Sequence, residues 1–308
     1  MYYFDDITEY DGTECAIMLG KFDGLHIGHR TLLRTMRENC GELRKMILTF
    51  DASDYDARKE LFTKKEKRII CEQAGLDAYL NVPFTDEIRR MSAEAFVTGY
   101  LFEKCHARQI YVGQNWRFGR NREGNTEILK RLCEPLGIVT FIVPETMLPG
   151  DGRERAVSCT DIRSLICEGK TEPAAELLGS PFFIAGTTRP GRQLGTRMHF
   201  PTLNLYPPEE KLLPPNGVYE TYTRIDGREY PSVTNVGTKP TVTEERRMTV
   251  ETHLLTLPAD EIPGYGTKIQ VLFGRWIRPE RKFDSVSALQ SQIENDIIVV
   301  RALQNKKA

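Results

Sequence analysis

The chain has 308 residues, a net charge of −1 and 28% charged residues with both signs mixed throughout. That length leaves room for two domains with separate cores, and the even charge balance excludes a polybasic stripe, so no nucleic-acid partner is expected. No apolar run approaches a membrane span, and the acidic start MYYFDDITEY lacks the apolar core of a secretory signal. Neither a membrane partner nor export is therefore expected. Cysteines at 15, 40, 71, 105, 133, 159 and 167 are scattered and free of CxxC spacing. They read as small buried hydrophobes in a reducing cytoplasm. Nothing in the pattern addresses oligomeric state.

Taken in chain order, the first element is the apolar run CAIML at 15–19, read as a buried strand. GKFDGLHIGH follows at 20–29, and Gly20, Gly24 and Gly28 let the backbone turn tightly and approach a ligand. Leu32, Leu33 and Met36 then recur at helical spacing as far as Gly41. His26 and His29 lie three apart at the start of this helix, where backbone N–H groups and the positive dipole end favour an anion. Two imidazoles at such a mouth suit the triphosphate of a nucleotide, with Gly20, Phe22, Asp23, Gly24 and Gly28 as the phosphate-binding loop. The alternative is a turn whose histidines cap or pack. A metal centre is disfavoured, since HxxH offers two ligands and no nearby cluster completes a set.

Further strands are expected at 45–50, 78–82, 109–112 and 138–143, alternating with helices from a Thr63–Glu66 capping box toward Gly75, over 92–102 and over 126–136. Such alternation predicts a parallel sheet covered by helices, with ligands at the carboxyl ends of its strands. After the fourth strand, VGQNWRFG offers Asn115 and Arg117 to a base, ribose or flat heterocycle, although an aromatic loop also serves as a core plug. SCTDIR at 158–163 places Ser158, Thr160 and Arg163 at a helix start suited to phosphate, with a plain capping box as the alternative. Gly169-Lys170-Thr171 mimics the end of a P-loop, but Ser164 stands where the first glycine is required.

Beyond about 180 the pattern changes to short β-branched or aromatic runs at 182–185, 218–225, 250–255 and 269–277, with Pro, Gly and Asn between them. That predicts an antiparallel barrel or sandwich. Val286, Leu289, Ile293, Ile297 and Val300 form one apolar stripe on a final helix that closes it. Thr202 and Asn204 offer a hydroxyl and an amide oxygen on one side of an extended segment, hard donors suited to Mg²⁺ on ATP phosphates. Gly186, Gly191 and Gly195 precede or open that segment as a nucleotide loop. Glu251 interrupts an apolar strand, either for use or on a solvent face.

Together these motifs resemble the prokaryotic-type bifunctional riboflavin kinase/FAD synthetase family. The matching pieces are GKFDGLHIGH, VGQNWRFG, SCTDIR, LLGSP at 177–181, HFPTLN, NGVY at 216–219, NVGTKPT at 235–241, VETHLL and KFD at 282–284. The resemblance implies a Rossmann-like α/β nucleotidyltransferase domain of the HxGH type over 1–180, then an antiparallel six-stranded flavokinase β-barrel with a C-terminal helix over 181–308. It implies a barrel that phosphorylates riboflavin from ATP, with Thr202 and Asn204 holding Mg·ATP and Glu251 accepting the hydroxyl proton. It implies a first domain that joins AMP to FMN, releasing pyrophosphate and FAD, with His26 and His29 on the phosphates, Ser158, Thr160 and Arg163 closing over them, and Asn115 on nucleotide or flavin. Four places depart from the pattern: DASD at 51–54 for a Pro-His-Pro element, Asn115-Trp116 for Asp-Phe, Cys159 for Ser, and His199 for Gly. Two alternatives follow: a riboflavin kinase whose adenylyltransferase half is inactive, and a flavin- or nucleotide-binding regulator without turnover.

Overall fold

A computed structural model describes residues 1–51, 58–148, 155–191, 200–240, 246–258 and 261–305. The chain forms two compact units: Met1–Arg58 with Lys64–Cys159, and Lys59–Thr63 with Thr160–Ala308. The structural cut thus falls near 160, where the sequence pattern changes near 180.

The first unit is a parallel sheet of β1 (Tyr2–Phe4), β2 (Cys15–Leu19), β3 (Arg44–Asp51), β4 (Ala78–Pro83), β5 (Ala107–Gly113) and β6 (Val139–Val143), ordered β1-β4-β3-β2-β5-β6. All of β2 is buried because both faces of a parallel sheet are covered. Its alternation sorts Cys15, Ile17 and Leu19 into one core and Ala16 and Met18 into the other. The second core takes Leu32, Leu33 and Met36 from α1 (Ile27–Asn39) and Cys71 from α2 (Lys64–Gln73). The first takes Leu129 of α5 (Thr126–Cys133) and the residues expected as one helix over 92–102. That stretch is a short turn, α4 (Ala93–Ala95), capped by Ser92 and running into a π-helix over Phe96–Lys104, with α3 (Asp86–Arg90) just before it. A small ribbon of β7 (Met147–Leu148) and β8 (Arg155–Ala156) completes the unit.

The second unit begins with α6 (Cys159–Cys167) and α7 (Thr171–Leu178), and Thr171 Oγ1 donates to the Gly274 carbonyl. Its antiparallel sheet comprises β9 (Phe183–Thr187), β10 (Leu203–Leu205), β11 (Gly217–Ile225), β12 (Arg228–Pro240), β13 (Arg246–Leu254) and β14 (Lys268–Pro279), ordered β10-β13-β12-β11-β14-β9. The Arg189 N–H donates to the Asn204 carbonyl at 3.0 Å, so the continuation of β9 meets β10 and closes the barrel.

The barrel interior mixes apolar side chains (Leu203, Leu205, Val250, Leu254, Phe273) with five fully buried hydroxyls. These form a closed ring: Thr221–Ser232 2.8 Å, Ser232–Thr223 2.9 Å, Thr223–Thr252 3.1 Å, Thr252–Thr234 2.8 Å and Thr234–Thr221 2.7 Å. Each hydroxyl has one proton to donate, so five donors supply five bonds and none is wasted. The ring holds Thr252 inside, and a one-residue slip of β13 would bring Glu251 into the barrel instead.

On the outer face, α8 (Val286–Asn305) packs Ile293, Ile297 and Val300 on Val218 and Val233. Arg278 donates from Nε to Asp296 Oδ1 at 2.9 Å and from Nη2 to Oδ2 at 2.7 Å, and Gln304 Nε2 reaches the Thr221 carbonyl at 3.0 Å. Val286, on the same expected stripe, is exposed, so packing starts about two turns later, at Ile293.

Candidate active sites

In the first sheet the chain runs from β2 outward to β3 on one side, while β5 and β6 lie on the other. The crevice beyond the carboxyl ends of β2 and β5 is therefore the topological switch point, where ligands bind in open α/β sheets. The GKFDGLHIGH turn leaves β2 there, and the loop carrying Asn115 leaves β5 there.

One carbonyl organises the turn. The oxygen of Gly24 accepts from the His26 N–H at 2.9 Å and from His29 Nδ1 at 2.9 Å. His26 caps α1, its Nδ1 accepting the His29 N–H at 3.4 Å. The two imidazoles stack at 3.7 Å between centroids, with Phe22 edge-on to His29 at 4.8 Å. Gly28 leaves room for the His26 ring, which a Cβ there would crowd at 3.1 Å. A carbonyl has no proton to give, so neutral His29 carries its hydrogen on Nδ1; His26, accepting on Nδ1, carries its own on Nε2. Asp23 is buried and faces Lys67 of α2 at 3.6 Å.

Burial pushes both imidazoles down from an ordinary value of 6.5, His26 to about 3 with His29 adding to the effect, and His29 to about 4 against the opposing pull of the Gly24 bond. The unfolded chain therefore holds more protons between about 6.5 and about 3. Stability from this pair is complete above 6.5 and falls progressively as pH drops through that window. His26→Asn, which still caps α1, should lose less melting temperature than the parent between about pH 7 and about pH 5. Equal losses would contradict this.

Asn115 and Arg117 are exposed, and Asn115 Nδ2 donates to Glu145 Oε1 at 2.6 Å. Trp116 and Phe118 turn inward and stack on each other at 4.5 Å, so the loop is a core plug with a polar rim. Ser158 directly precedes α6 in the first unit; Thr160 and Arg163 belong to the second, where Arg163 Nη1 donates to the Lys59 carbonyl. Gly20 lies against the Phe22 ring, and Gly186 sits within β9 against Leu205. Gly195, His199 and residues 52–54 fall outside the described residues.

In the barrel, Asn204 is 5% exposed, and its Nδ2 donates to the Thr202 carbonyl at 3.2 Å and Thr202 Oγ1 at 3.4 Å. A Cβ on Gly191 would stand 2.6 Å from Asn204 Oδ1, so only glycine leaves room at that oxygen. Asn204 lies directly opposite Glu251 across β10 and β13, and Glu251 directly opposite Asn235 across β13 and β12. Directly opposed residues share a face, so an Asn–Glu–Asn row crosses three strands on the outside of the barrel. Sequence reasoning passed over Asn235 and Lys67; the NVGTKPT motif contained the first, and no local signal marked the second. Among the described residues, no group of three or more His, Cys, Asp or Glu side chains could hold a metal ion. The hard oxygens of Thr202 and Asn204, beside a glycine that keeps space open, fit a cation that arrives on phosphate.

A parallel sheet with stacked imidazoles at its switch point, then a closed barrel bearing Thr, Asn and Glu on one face, defines a two-domain nucleotide-dependent transferase. Residues 8–157 match the family described as FAD synthetase, and residues 178–304 that described as riboflavin kinase. The bifunctional riboflavin kinase/FMN adenylyltransferase of Escherichia coli (strain K12) is 32% identical over 93% of this chain and 92% of its own length. That of Pseudomonas fluorescens is 30% identical over 94% and 93%. A crystal structure described as a macrolide-efflux protein from Streptococcus pneumoniae shares the fold, with TM-score 0.79 at 24% identity over 97% of this chain and 98% of that one. The chain belongs to the bifunctional riboflavin kinase/FMN adenylyltransferase family.

Proposed function

We propose that the two residue sets carry the family's two reactions in sequence, with residues 1–180 as the adenylyltransferase and 181–308 as the kinase. The barrel phosphorylates the terminal hydroxyl of riboflavin from ATP, giving FMN; the first domain joins AMP from a second ATP to FMN, giving FAD and pyrophosphate. The observation that carries this reading is the cross-strand pair of Asn204 and Glu251, with Thr202 hydrogen-bonded to Asn204. An oxygen-donor pair for Mg·ATP and a carboxylate for the attacking hydroxyl stand on adjacent strands of one face.

Mg²⁺, when bound, neutralises charge on the transferring phosphoryl group; Thr202 and Asn204 would hold it. Glu251 takes the proton from the flavin hydroxyl as that oxygen attacks the γ-phosphorus, whose bond to the bridging oxygen breaks to release ADP. Phosphoryl transfer depends mainly on positioning and electrostatics, which the rigid, ring-pinned β13 supplies. At the first site, His26 Nε2–H donates directly to a phosphate oxygen. His29 donates from Nε2 only after taking a proton, which a bound polyphosphate favours by opposite charge. By the family resemblance Ser158, Thr160 and Arg163 bind ATP phosphate, Gly20, Phe22, Asp23, Gly24 and Gly28 shape the loop after β2, and Asn115 with Arg117 meets nucleotide or flavin. Gly186, Gly191 and Gly195 shape the barrel's nucleotide loop.

Riboflavin, FMN and ATP are the small-molecule partners, and the cytoplasm, where ATP is supplied, is the setting. Among the described residues no helix is long and apolar enough to cross a membrane. Asn204→Leu tests the metal assignment, since it removes an oxygen donor at similar volume. It should raise the Mg·ATP requirement of FMN formation by about tenfold or more, in line with losing one charged-group contact. An unchanged Mg²⁺ titration would make Asn204 structural.

A further inference from the structure

The same outer face carries a second carboxylate that the mechanism above does not use. Glu280 follows the end of β14, and its Oε2 accepts from Asn216 Nδ2 at 3.2 Å, while that Nδ2 also donates to Thr238 Oγ1 at 3.1 Å. The other oxygen, Oε1, would lie 2.5 Å from a Cβ built on Gly237, with Asn235 Nδ2 at 3.1 Å from the same point. Gly237 therefore lacks a side chain where the carboxylate sits against its backbone. Any larger residue would displace it. Gly237 is two residues beyond Asn235 on β12, and Asn235 is directly opposite Glu251. The Glu280 carboxylate thus stands over the diagonal neighbour of Glu251, a step of roughly 7–8 Å along the sheet surface. Unlike Glu251, it is exposed, so it meets whatever lies along this face.

The chemistry narrows the ligand. Asn216 gives its two amide protons to Glu280 and Thr238, so what this place offers a ligand is the carboxylate's remaining lone pairs, acceptors suited to hydroxyl groups. On the kinase reading, the substrate brings a polyol chain whose terminal hydroxyl sits at Glu251 and whose secondary hydroxyls run along the same face, a few ångströms further on.

We propose that Glu280, held by Asn216 over Gly237, is a specificity-determining residue that accepts hydrogen bonds from the secondary hydroxyls of the riboflavin side chain. The inference rests on the kinase reading and extends it from the reacting hydroxyl to the rest of the chain. A site built to bond hydroxyls rejects analogues lacking them, because its own polar groups are left without partners. Glu280 is exposed and follows the end of β14, so its contact is a matter of substrate choice rather than of barrel stability.

The full chain is assayed with riboflavin and with a flavin whose side chain is an unbranched 5-hydroxypentyl group, which keeps the terminal hydroxyl alone. For the parent, the analogue's KM should exceed that of riboflavin by roughly 10–100-fold, the value of hydrogen bonds to a charged group. Glu280→Ala should raise the KM for riboflavin by a similar factor with kcat within a few-fold, and leave the analogue unaffected, so that the variant no longer separates the two. Glu280→Gln, which still accepts, should restore most of the discrimination. An equal rise for both substrates, or a riboflavin KM within twofold of the parent, would overturn the assignment while leaving the kinase reading intact. A parent that phosphorylates neither flavin would overturn both.

Discussion

Glu251→Gln is expected to slow riboflavin phosphorylation by roughly 10²-fold or more, since a positioned general base typically contributes about 10²–10⁴-fold and phosphoryl transfer draws on the lower part of that range. The substitution keeps the size and hydrogen-bonding reach of the side chain and removes its ability to take a proton. The barrel should tolerate it. Its neighbours Val250 and Thr252 are fully buried on the other face, Thr252 within the hydroxyl ring, so the register of β13 does not depend on the carboxylate. Flavin binding should change little, and FAD formation from supplied FMN should proceed at the parental rate. A glutamine variant that phosphorylates riboflavin within a few-fold of the parent would make Glu251 an ordinary residue of an outer strand face.

His29→Ala is expected to suppress FAD formation from FMN by roughly 10²–10³-fold, the usual effect of removing one donor that stabilises developing charge. Two features make the loss larger than a missing contact. His29 stacks on His26 at 3.7 Å, and its Nδ1 bond to the Gly24 carbonyl fixes the ring within the turn. Its backbone N–H remains to bond His26, so the cap on α1 survives the substitution. FMN formation should be nearly unaffected, because the kinase residues belong to a separate compact unit. Parallel loss of both activities in a chain that still melts cooperatively would contradict two independent sites.

How much of this was legible in the sequence depends on whether the signal was local. The run at 15–19 is apolar without a break because both faces of β2 are covered, and the alternating βα pattern sufficed to expect a parallel sheet. β1, three residues long and partly exposed, leaves no periodic trace. The strand β12 was hidden for a different reason. Its inward positions include Ser232 and Thr234, fully buried hydroxyls of the ring, so the face that points into the barrel reads as polar. Pro231 and Gly237 within it add turn signals. The candidate site residues stood out as motifs, but the strand pairing that brings some of them together did not. That Glu251 stands between Asn204 and Asn235 depends on which strands pair and in what register, and neither is a property of any short segment. The approach of Lys67 to Asp23 is likewise a contact between an element interior and a distant loop.

On the proposed reading, one chain uses two ATP molecules in two different ways at two sites. This is tested most directly by supplying the full chain with riboflavin, Mg²⁺ and ATP labelled either at the γ- or at the α-phosphorus, then separating FMN from FAD. The γ-label should appear in both flavins, since the phosphate placed on riboflavin is carried into FAD. The α-label should appear in FAD alone. Label from γ in FMN with no α-label in any flavin would show a kinase without adenylyl transfer, and no label in either flavin would contradict both sites.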